Sequence, residues 1–517
     1  MTDPAVRAVE AAFSGEDYDL LVIGGGINGT GIARDAVGRG LKVLLVECDD
    51  LAAHTSSAST KLIHGGLRYL EYYEFRLVRE SLQERERLIH IAPHISWPLR
   101  FVLPQPKGGR PGWMIRLGLW LYDHIGGRQT LPGSHRVDLT DPRWGQGLKP
   151  GVPKGFVYSD AWVDDARLVV LNAIDAAERG ATIWTGTTMI DAQVAGERWL
   201  VDLLPNSDAA RPAIDGPRRV RVKAIANAAG PWAGSVLGMV DDVRREGGIR
   251  LVKGSHIIVS QLYPGDHAFI LQRDDGRIIF TIPYQGRFTL IGTTDVLVGE
   301  AERAAPKISG AEIDYLCSAA NAYFERQIAP ADVVSTYAGV RPLYDDGSEE
   351  AKAITRDYVL KLGRDSAPQI LSVFGGKLTT YRRLAEHALE HLVPWLPAVG
   401  AAWTGTAPLP GGDLPQGGFA EFLAEVRARW PFLPTEVAER MAHAYGTRIE
   451  RVLGPAQNWA DLGEDFGSGL TEAEAAYLYT HEWARSAEDI LWRRTKLGLI
   501  CAAQTGEKLA AWLAARP

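Results

Sequence analysis

Residues 17–47 read DYDLLVIGGGINGTGIARDAVGRGLKVLLVE, and the order of residue types in this stretch decides the fold. The run from Asp19 to Ile23 has the apolar, β-branched texture of a strand, and Gly24-x-Gly26-x-x-Gly29 follows it directly. The glycines serve different ends. Gly24 permits the tight turn, Gly26 lets backbone approach a pyrophosphate, and Gly29, with Ala33 small on the next turn, allows close helix-to-sheet packing. The helix that begins here offers its N-terminus to phosphates, and Asn28 lies in its first turn. Val43 to Val46 predict a second strand. Glu47, eighteen residues past Gly29, stands where a carboxylate would accept hydrogen bonds from an adenosine ribose. A lone GxGxxG carries little; strand, glycines, helix, strand and acid in this order predict a dinucleotide-binding α/β unit.

The fingerprint does not separate FAD from NAD, because both contain adenosine diphosphate. The following segment does. His54 to Tyr69, HTSSASTKLIHGGLRY, is rich in Ser, Thr and Gly where an NAD domain would continue its strand-helix alternation, so Thr55, Ser56, Ser57, Thr60 and Lys61 are expected to wrap a longer cofactor. Two further strands end in glycine: AIANAAGPW (224–232), with Gly230, and LSVFGGKLTTY (371–381), with Gly376, Lys377, Leu378 and Thr379. Three separated strand-to-glycine endings predict one discontinuous nucleotide-binding domain with other material inserted. The expected division is 18–75, 155–250 and 345–395 for an FAD-binding Rossmann-like domain, 76–154 and 251–344 for an inserted β-rich substrate domain, and 396–517 for an all-helical C-terminal domain.

Composition agrees with a multidomain globular chain: 517 residues, 46% hydrophobic and 23% charged, at roughly 100–200 residues per domain. A net charge of −7 gives no general attraction to nucleic acid or anionic lipid, so an anionic ligand must be met by a local cluster. Cys48, Cys317 and Cys501 lie far apart without metal-ligand spacing, so neither a disulfide framework nor a bound metal is expected. The N-terminus lacks a signal-peptide pattern and no run of about 18 apolar residues occurs, which predicts neither secretion nor a membrane span. Residues 1 to about 17 read as a disordered tail. APLPGGDLPQGG (407–418) reads as a linker, and beyond it Phe419, Phe422, Leu423, Val426 and Trp430 fall on one helical stripe. Thr471 and Glu474 have capping-box spacing with Leu470 as a staple, and Ile490, Leu491, Arg494 and Leu497 continue a second helical pattern. Seven of the fifteen Trp lie beyond residue 394 and are expected to fill core between helices.

Longer strings carry a resemblance. SSASTKLIHGGLRYLEYYEFRLV, YSDAWVDDARLV, GIRLVKGSHIIV, IGTTDV, YAGVRPL, AITRDY, VFGGKLTTYRRLAEHAL, DLGEDFG and LWRRTKLGL resemble the FAD-dependent glycerol-3-phosphate dehydrogenases, aerobic bacterial and mitochondrial respiratory enzymes of the glutathione-reductase-like flavoprotein class. The resemblance runs from about residue 18 to 510. It implies FAD as cofactor, sn-glycerol 3-phosphate as substrate, membrane quinone as electron acceptor, and peripheral association with the inner face of the cell membrane. A homodimer is compatible with it, and no sequence motif sets one. The family's substrate-binding residues fall on Arg68, Tyr69, His256, Arg341, Arg356 and Lys377. A small phosphorylated polyol needs several converging cations, which these positions supply, Arg bidentately and Lys as a point charge.

Oxidation of a secondary alcohol moves a hydride to the flavin and removes the hydroxyl proton. Two proton routes stay open: His256 as general base, or an Arg-stabilised alkoxide, with Arg341 the catalytic cation, losing its proton to water. Acceptor choice likewise leaves an oxygen-using oxidase, and a non-catalytic flavin sensor, as alternatives. WMIRLGLWLYDHI (113–125) is too short to span a bilayer; a buried helix or strand of the substrate domain is preferred here over an interfacial helix.

Overall fold

A computed structural model describes residues 15–516 except 106–110, 128–129, 207–211, 245–247, 274 and 346–356. The 17–47 stretch folds as its sequence predicts. Asp17–Ile23 and Val43–Val46 are strands, and the helix Ile27–Gly38 runs between them. They belong to an eight-stranded sheet in which Gln369–Phe374, Arg218–Asn227, Asp17–Ile23, Val43–Val46 and Thr182–Trp184 lie side by side and parallel. Both faces are covered, which is why these strands read as unbroken apolar runs. Leu20 and Val22 meet the helices Ile27–Gly38, Asp165–Glu178 and Tyr381–Leu392. Leu21 and Ile23 face a second core around Trp199, Val201 and Phe374, closed by the antiparallel ribbon Thr187–Pro205.

A ten-stranded sheet forms the other half of the body. Its spine is the antiparallel pair Gly248–Ser260 and Val333–Asp345, in which His256 stands opposite Tyr337 on one side and opposite Gly292 on the other. This sheet corrects the expected domain division. Lys154–Val163 pairs with Ser96–Pro104, His135–Asp138 and Leu62–Ile63, so residues 154–163 belong to the substrate-side sheet and the chain returns to the cofactor domain only at the helix Asp165–Glu178. An apolar strand reads alike in either sheet; pairing partners decide, and they are remote in sequence.

The C-terminal unit has its own core of Phe422, Val426, Trp430, Tyr445, Tyr477 and Leu478. It is helical apart from a two-stranded ribbon, Asp465–Gly467 with Leu470–Thr471. The 407–418 stretch is not a free linker. Leu409 is buried and its N–H donates to Ile91 O at 2.8 Å, Arg34 donates to Ala407 O at 3.0 Å, and Gly411 (φ +87°) lies so close to Tyr445 that a Cβ would meet its carbonyl oxygen at 2.2 Å. The Thr471–Glu474 capping box does not form. Glu474 is fully buried and gives its carboxylate to Arg440 (2.6 and 2.7 Å) and Tyr445 (2.6 Å), because a desolvated carboxylate gains more from a guanidinium than from a helix N–H. Of the C-terminal tryptophans, Trp430 fills core as expected, Trp492 is exposed, and Trp403 packs on the first helix, donating to Asp35 O at 3.2 Å. Residues 1–14 of the expected tail lie outside the described residues, and Asp17 is already in a strand, paired with Arg221 at 2.7 Å.

Residues 113–125 correct the preferred burial. Gly112–Ile125 is a helix, but only Leu119 and Tyr122 are buried, while Trp113 (68% exposed), Met114, Leu117 (57%) and Trp120 (56%) face outward. Its apolar residues outnumber the positions the core can take.

Candidate active site

The two sheets meet over a cavity of about 1490 Å³. Its floor is the dinucleotide fingerprint: Gly24, Gly26, Ile27 and Asn28, the strand end at Val46 and Glu47, the segment Ala52–Ser56 with Ala58–Thr60, the turn Ala228–Trp232, and the turn Gly375–Thr379. Four of the five parallel strands, all but Thr182–Trp184, end at this cavity, the position at which open α/β sheets bind ligands. Gly24 takes φ +112° and its missing Cβ would fall 2.5 Å from Ala228 O. Gly26 at the cap brings no side chain of its own over the first amides, one of which, Ile27 N, donates to Ser56 Oγ at 3.0 Å. Glu47 is buried in the wall, accepting from Gly25 N at 2.5 Å and Asp49 N at 2.9 Å. These bonds fix the carboxylate and leave lone-pair capacity toward the cavity.

Three residues expected at the cofactor do not line the cavity. Gly29 packs against the loop, its absent Cβ at 1.9 Å from Gly24 O. Lys61 is spent in a buried pair with Asp165 (2.7 and 2.8 Å), and Ser57 Oγ turns to His54 O at 3.3 Å while its carbonyl accepts from Lys61. They shape the wrapping segment from behind. Glu47, Cys48, Asp49 and His54 bring donor atoms within 4.8 Å of one another; His54 Nε2–Asp49 Oδ2 at 2.7 Å and the amide bonds to Glu47 account for the gathering.

The opposite wall holds the expected cations. Arg68, Tyr69, Lys377, Arg341 and His256 all line the same cavity. Gly66, in the left-handed region, turns the chain so that Tyr69 lies under Lys377, whose Nζ is 4.0 Å from the ring centroid. Arg341, 40% exposed, reaches Asp295 at 2.5 Å and Thr293 Oγ1 at 3.4 Å. Gly254 makes room for it: a Cβ there would meet Arg341 Nη2 at 2.6 Å. Arg356 lies outside the described residues.

His256 is 1% exposed, stacked on Tyr337 at 4.7 Å, with its Nε2 3.0 Å from Thr60 Oγ1. Its Nδ1 is buried with no hydrogen-bond partner among the described residues. Burial first, and then the charges of Arg341 and Lys61, hold its pKa well below the ordinary imidazole value. The ring is therefore neutral at pH 7, and the tautomer in which Nε2–H donates to Thr60 leaves the buried Nδ1 lone pair without a partner among the described residues. Sequence reasoning named Thr60 as a cofactor contact only and did not single out His64, Thr293 or Asp295. His64 also lines the cavity, its pKa pushed down to about 4 by burial and by Lys377. All three sit inside the strings HGGLRY and IGTTDV, so the motifs were visible and the individual contacts were not.

Residues 19–382 match the family described as FAD dependent oxidoreductase, and residues 402–515 match the C-terminal domain of alpha-glycerophosphate oxidase. A glycerol-3-phosphate dehydrogenase of Pseudomonas aeruginosa is 53% identical over 502 residues, 96% of this chain and 95% of that protein. The chain belongs to the FAD-dependent glycerol-3-phosphate dehydrogenase family. A D-erythritol 1-phosphate dehydrogenase of Brucella abortus is 50% identical over 93% of this chain and 94% of its own length. The solved glycerol-3-phosphate dehydrogenase from Bacillus halodurans, complexed with FAD, superposes with a TM-score of 0.76 at 28% identity, covering 96% of this chain and 90% of that one. FAD is accordingly the cofactor, and the residues present fit it: a helix N-terminus with no side-chain cap, a buried Asn28 Oδ1 with no partner among the described residues, and glycines where a Cβ would close the floor.

Proposed function

We propose that this enzyme oxidises sn-glycerol 3-phosphate to dihydroxyacetone phosphate and delivers the electrons to a membrane quinone. The observation that carries this reading is the convergence of Arg68, Lys377 and Arg341 with a neutral His256 in the cavity whose floor is the dinucleotide fingerprint. Bound FAD supplies the two-electron oxidant that takes hydride from C2 and passes reducing equivalents to the acceptor. Gly24, Gly26, Asn28, Glu47, Thr55, Ser56, Thr60, Gly230, Gly376, Leu378 and Thr379 hold that cofactor, Glu47 at the adenosine ribose and the helix N-terminus at the pyrophosphate.

Arg341 and Lys377, with Arg68, bind the substrate phosphate, Arg341 by its fork and Lys377 as a point charge. Tyr69 props Lys377 and orients it. His256 accepts the hydroxyl proton, and Arg341 stabilises the negative charge that develops on the C2 oxygen.

The outward face of Gly112–Ile125 supports membrane contact. Met114 and Leu117, with Tyr73, Phe75, Met239 and Leu297, are both exposed and part of the cavity wall, an apolar rim at a cavity mouth. No helix among the described residues is long and apolar enough to cross a membrane, so this rim would dock peripherally, at the inner face of the cell membrane, and admit quinone from the bilayer. The test is anaerobic addition of sn-glycerol 3-phosphate to the purified yellow protein, followed by a quinone analogue. Flavin should bleach within the mixing time and recolour with quinone. Faster bleaching by D-erythritol 1-phosphate would reassign the substrate, and stoichiometric peroxide in air without recolouring by quinone would make the enzyme an oxidase.

A further inference from the structure

The C-terminal unit reaches into the cofactor loop at one point. Asp50, three residues beyond Glu47, is nearly buried and receives two adjacent arginines of Asp489–Arg494: Arg493 Nε at 2.7 Å, and Arg494 Nη1 and Nη2 at 2.8 and 2.7 Å. Adjacent residues of an α-helix splay by about 100°. Here the segment is a wide π-turn, closed by Thr495 N to Ile490 O at 3.0 Å, and both guanidinium groups meet one carboxylate. The arginines are themselves anchored. Arg494 donates to Glu482 O at 2.6 Å, and Glu482 pairs in the core with Arg167 of the helix Asp165–Glu178. Lys496, in the left-handed region at φ +61°, sets its Nζ 3.7 Å from Asp164, the cap of that same helix.

Asp50 has little else to do. It does not line the cavity, yet it lies between two residues whose backbone frames the Glu47 carboxylate: Asp49 N donates to Glu47 Oε1, and Ala52, at φ +61°, donates its N–H to Gly25 O at 3.1 Å. The segment from Glu47 to Ser56 has no regular structure before Thr55, and its left-handed residue is an alanine, a conformation that L-residues hold only when surroundings impose it. We propose that Arg493 and Arg494 are positioning residues for the cofactor loop: the C-terminal domain clasps Asp50, holds Glu47 and the Ala52–Ser56 wall in the binding geometry, and so sets how tightly FAD is retained. This rests on the proposed role of that wall in holding FAD.

The test uses full-length holoenzyme and the apoprotein made from it, with free FAD as probe, in Asp50→Asn and Arg494→Lys. FAD affinity, read by flavin fluorescence quenching on reconstitution, should fall about 10-fold or more in each, the scale of a charge-assisted bond lost to the loop. Hydrogen exchange should rise in amides 48–56 while the amides of Thr435–Tyr445 and Glu472–His481 stay protected. The KM for glycerol 3-phosphate at saturating FAD should stay unchanged. Wild-type affinity in both variants, or loosening of the C-terminal helices in step with the loop, would overturn the clasp and leave Asp50 as packing. Should Asp50→Asn fail to fold, Arg493→Gln, which keeps Arg494 on Asp50, should still weaken FAD severalfold, and an unchanged affinity there would equally overturn it. If wild-type protein neither carries nor rebinds FAD, the cofactor reading itself is at fault, independently of the variants.

Discussion

Replacing His256 by Asn isolates the proton step. The side chain is 1% exposed, stacked on Tyr337, and fits the space above Gly292 that any Cβ would close at 2.1 Å, so the smaller Asn enters without a clash, its amide reaching about as far as Nδ1 and short of Thr60, the partner of Nε2. What it cannot do is accept a proton. A positioned general base contributes about 10²- to 10⁴-fold, which is about 3–5 kcal/mol of barrier, and the single-turnover rate of flavin reduction should fall by that order with substrate affinity little changed. The pH profile gives a second, independent readout. Because burial and the charges of Arg341 and Lys61 lower the His256 pKa, the base is already neutral at pH 7. The wild-type rate should therefore stay level as pH drops through 6.5 and decline only below it; a substrate phosphate placed nearby would move that limb upward. In the mutant the limb should vanish. Anaerobic stopped-flow reduction across pH reports this step without interference from quinone. A mutant retaining both the wild-type rate and its acid limb would refute His256 as base and favour the Arg-stabilised alkoxide; one that lost only affinity would place His256 among the phosphate ligands.

Arg341→Lys should raise the KM for glycerol 3-phosphate about tenfold with FAD content intact, since Lys cannot reproduce the fork; unchanged kinetics would remove Arg341 from the phosphate site. Glu47→Gln should weaken FAD by about 1.5–3 kcal/mol, the scale of a hydrogen bond to a charged group, checked by reconstitution of apoprotein. Leu117→Ser with Trp120→Ser should lower partition into anionic vesicles, by about 1 kcal/mol for each half-buried side chain, without changing flavin reduction in solution; a double mutant that still pelleted with vesicles would move the docking face elsewhere. Stability should fall as pH drops below about 6.5 toward 3: burial pushes His94 down to about 3, so the unfolded chain binds a proton that the folded one refuses, and the stability present above the unfolded pKa is lost on acidification. Thermal unfolding of His94→Gln should show a flatter pH dependence over that window.

The cofactor half was legible because its determinants are local. Strand, turn, helix and acid follow one another within 17–47, and Gly24, Gly26 and Glu47 each occupy a position that few residue types can fill. The second half was legible only as motifs. HGGLRY, KGSH, GVRPL and FGGK come from four distant segments, and what brings Arg68, His256, Arg341 and Lys377 to one cavity is the pairing of two sheets, which no periodicity encodes. The same limit explains the misplaced boundary at 155. The strand Lys154–Val163 is buried along nearly its whole length, and a strand buried on both faces is compatible with either sheet until its partners are known. Two polar residues misled for the opposite reason. Lys61 and Ser57 sit among cavity residues in sequence, yet their side chains turn away from the cavity, Lys61 to Asp165 and Ser57 Oγ to His54 O. The 113–125 helix misled through composition. Apolar content says that a surface avoids water, and it does not say whether protein or lipid covers it. Here the body of the protein covers Leu119 and Tyr122 and leaves Trp113, Leu117 and Trp120 outside, so a segment that reads as core sets its largest side chains on the surface, with Met114 and Leu117 also in the cavity wall.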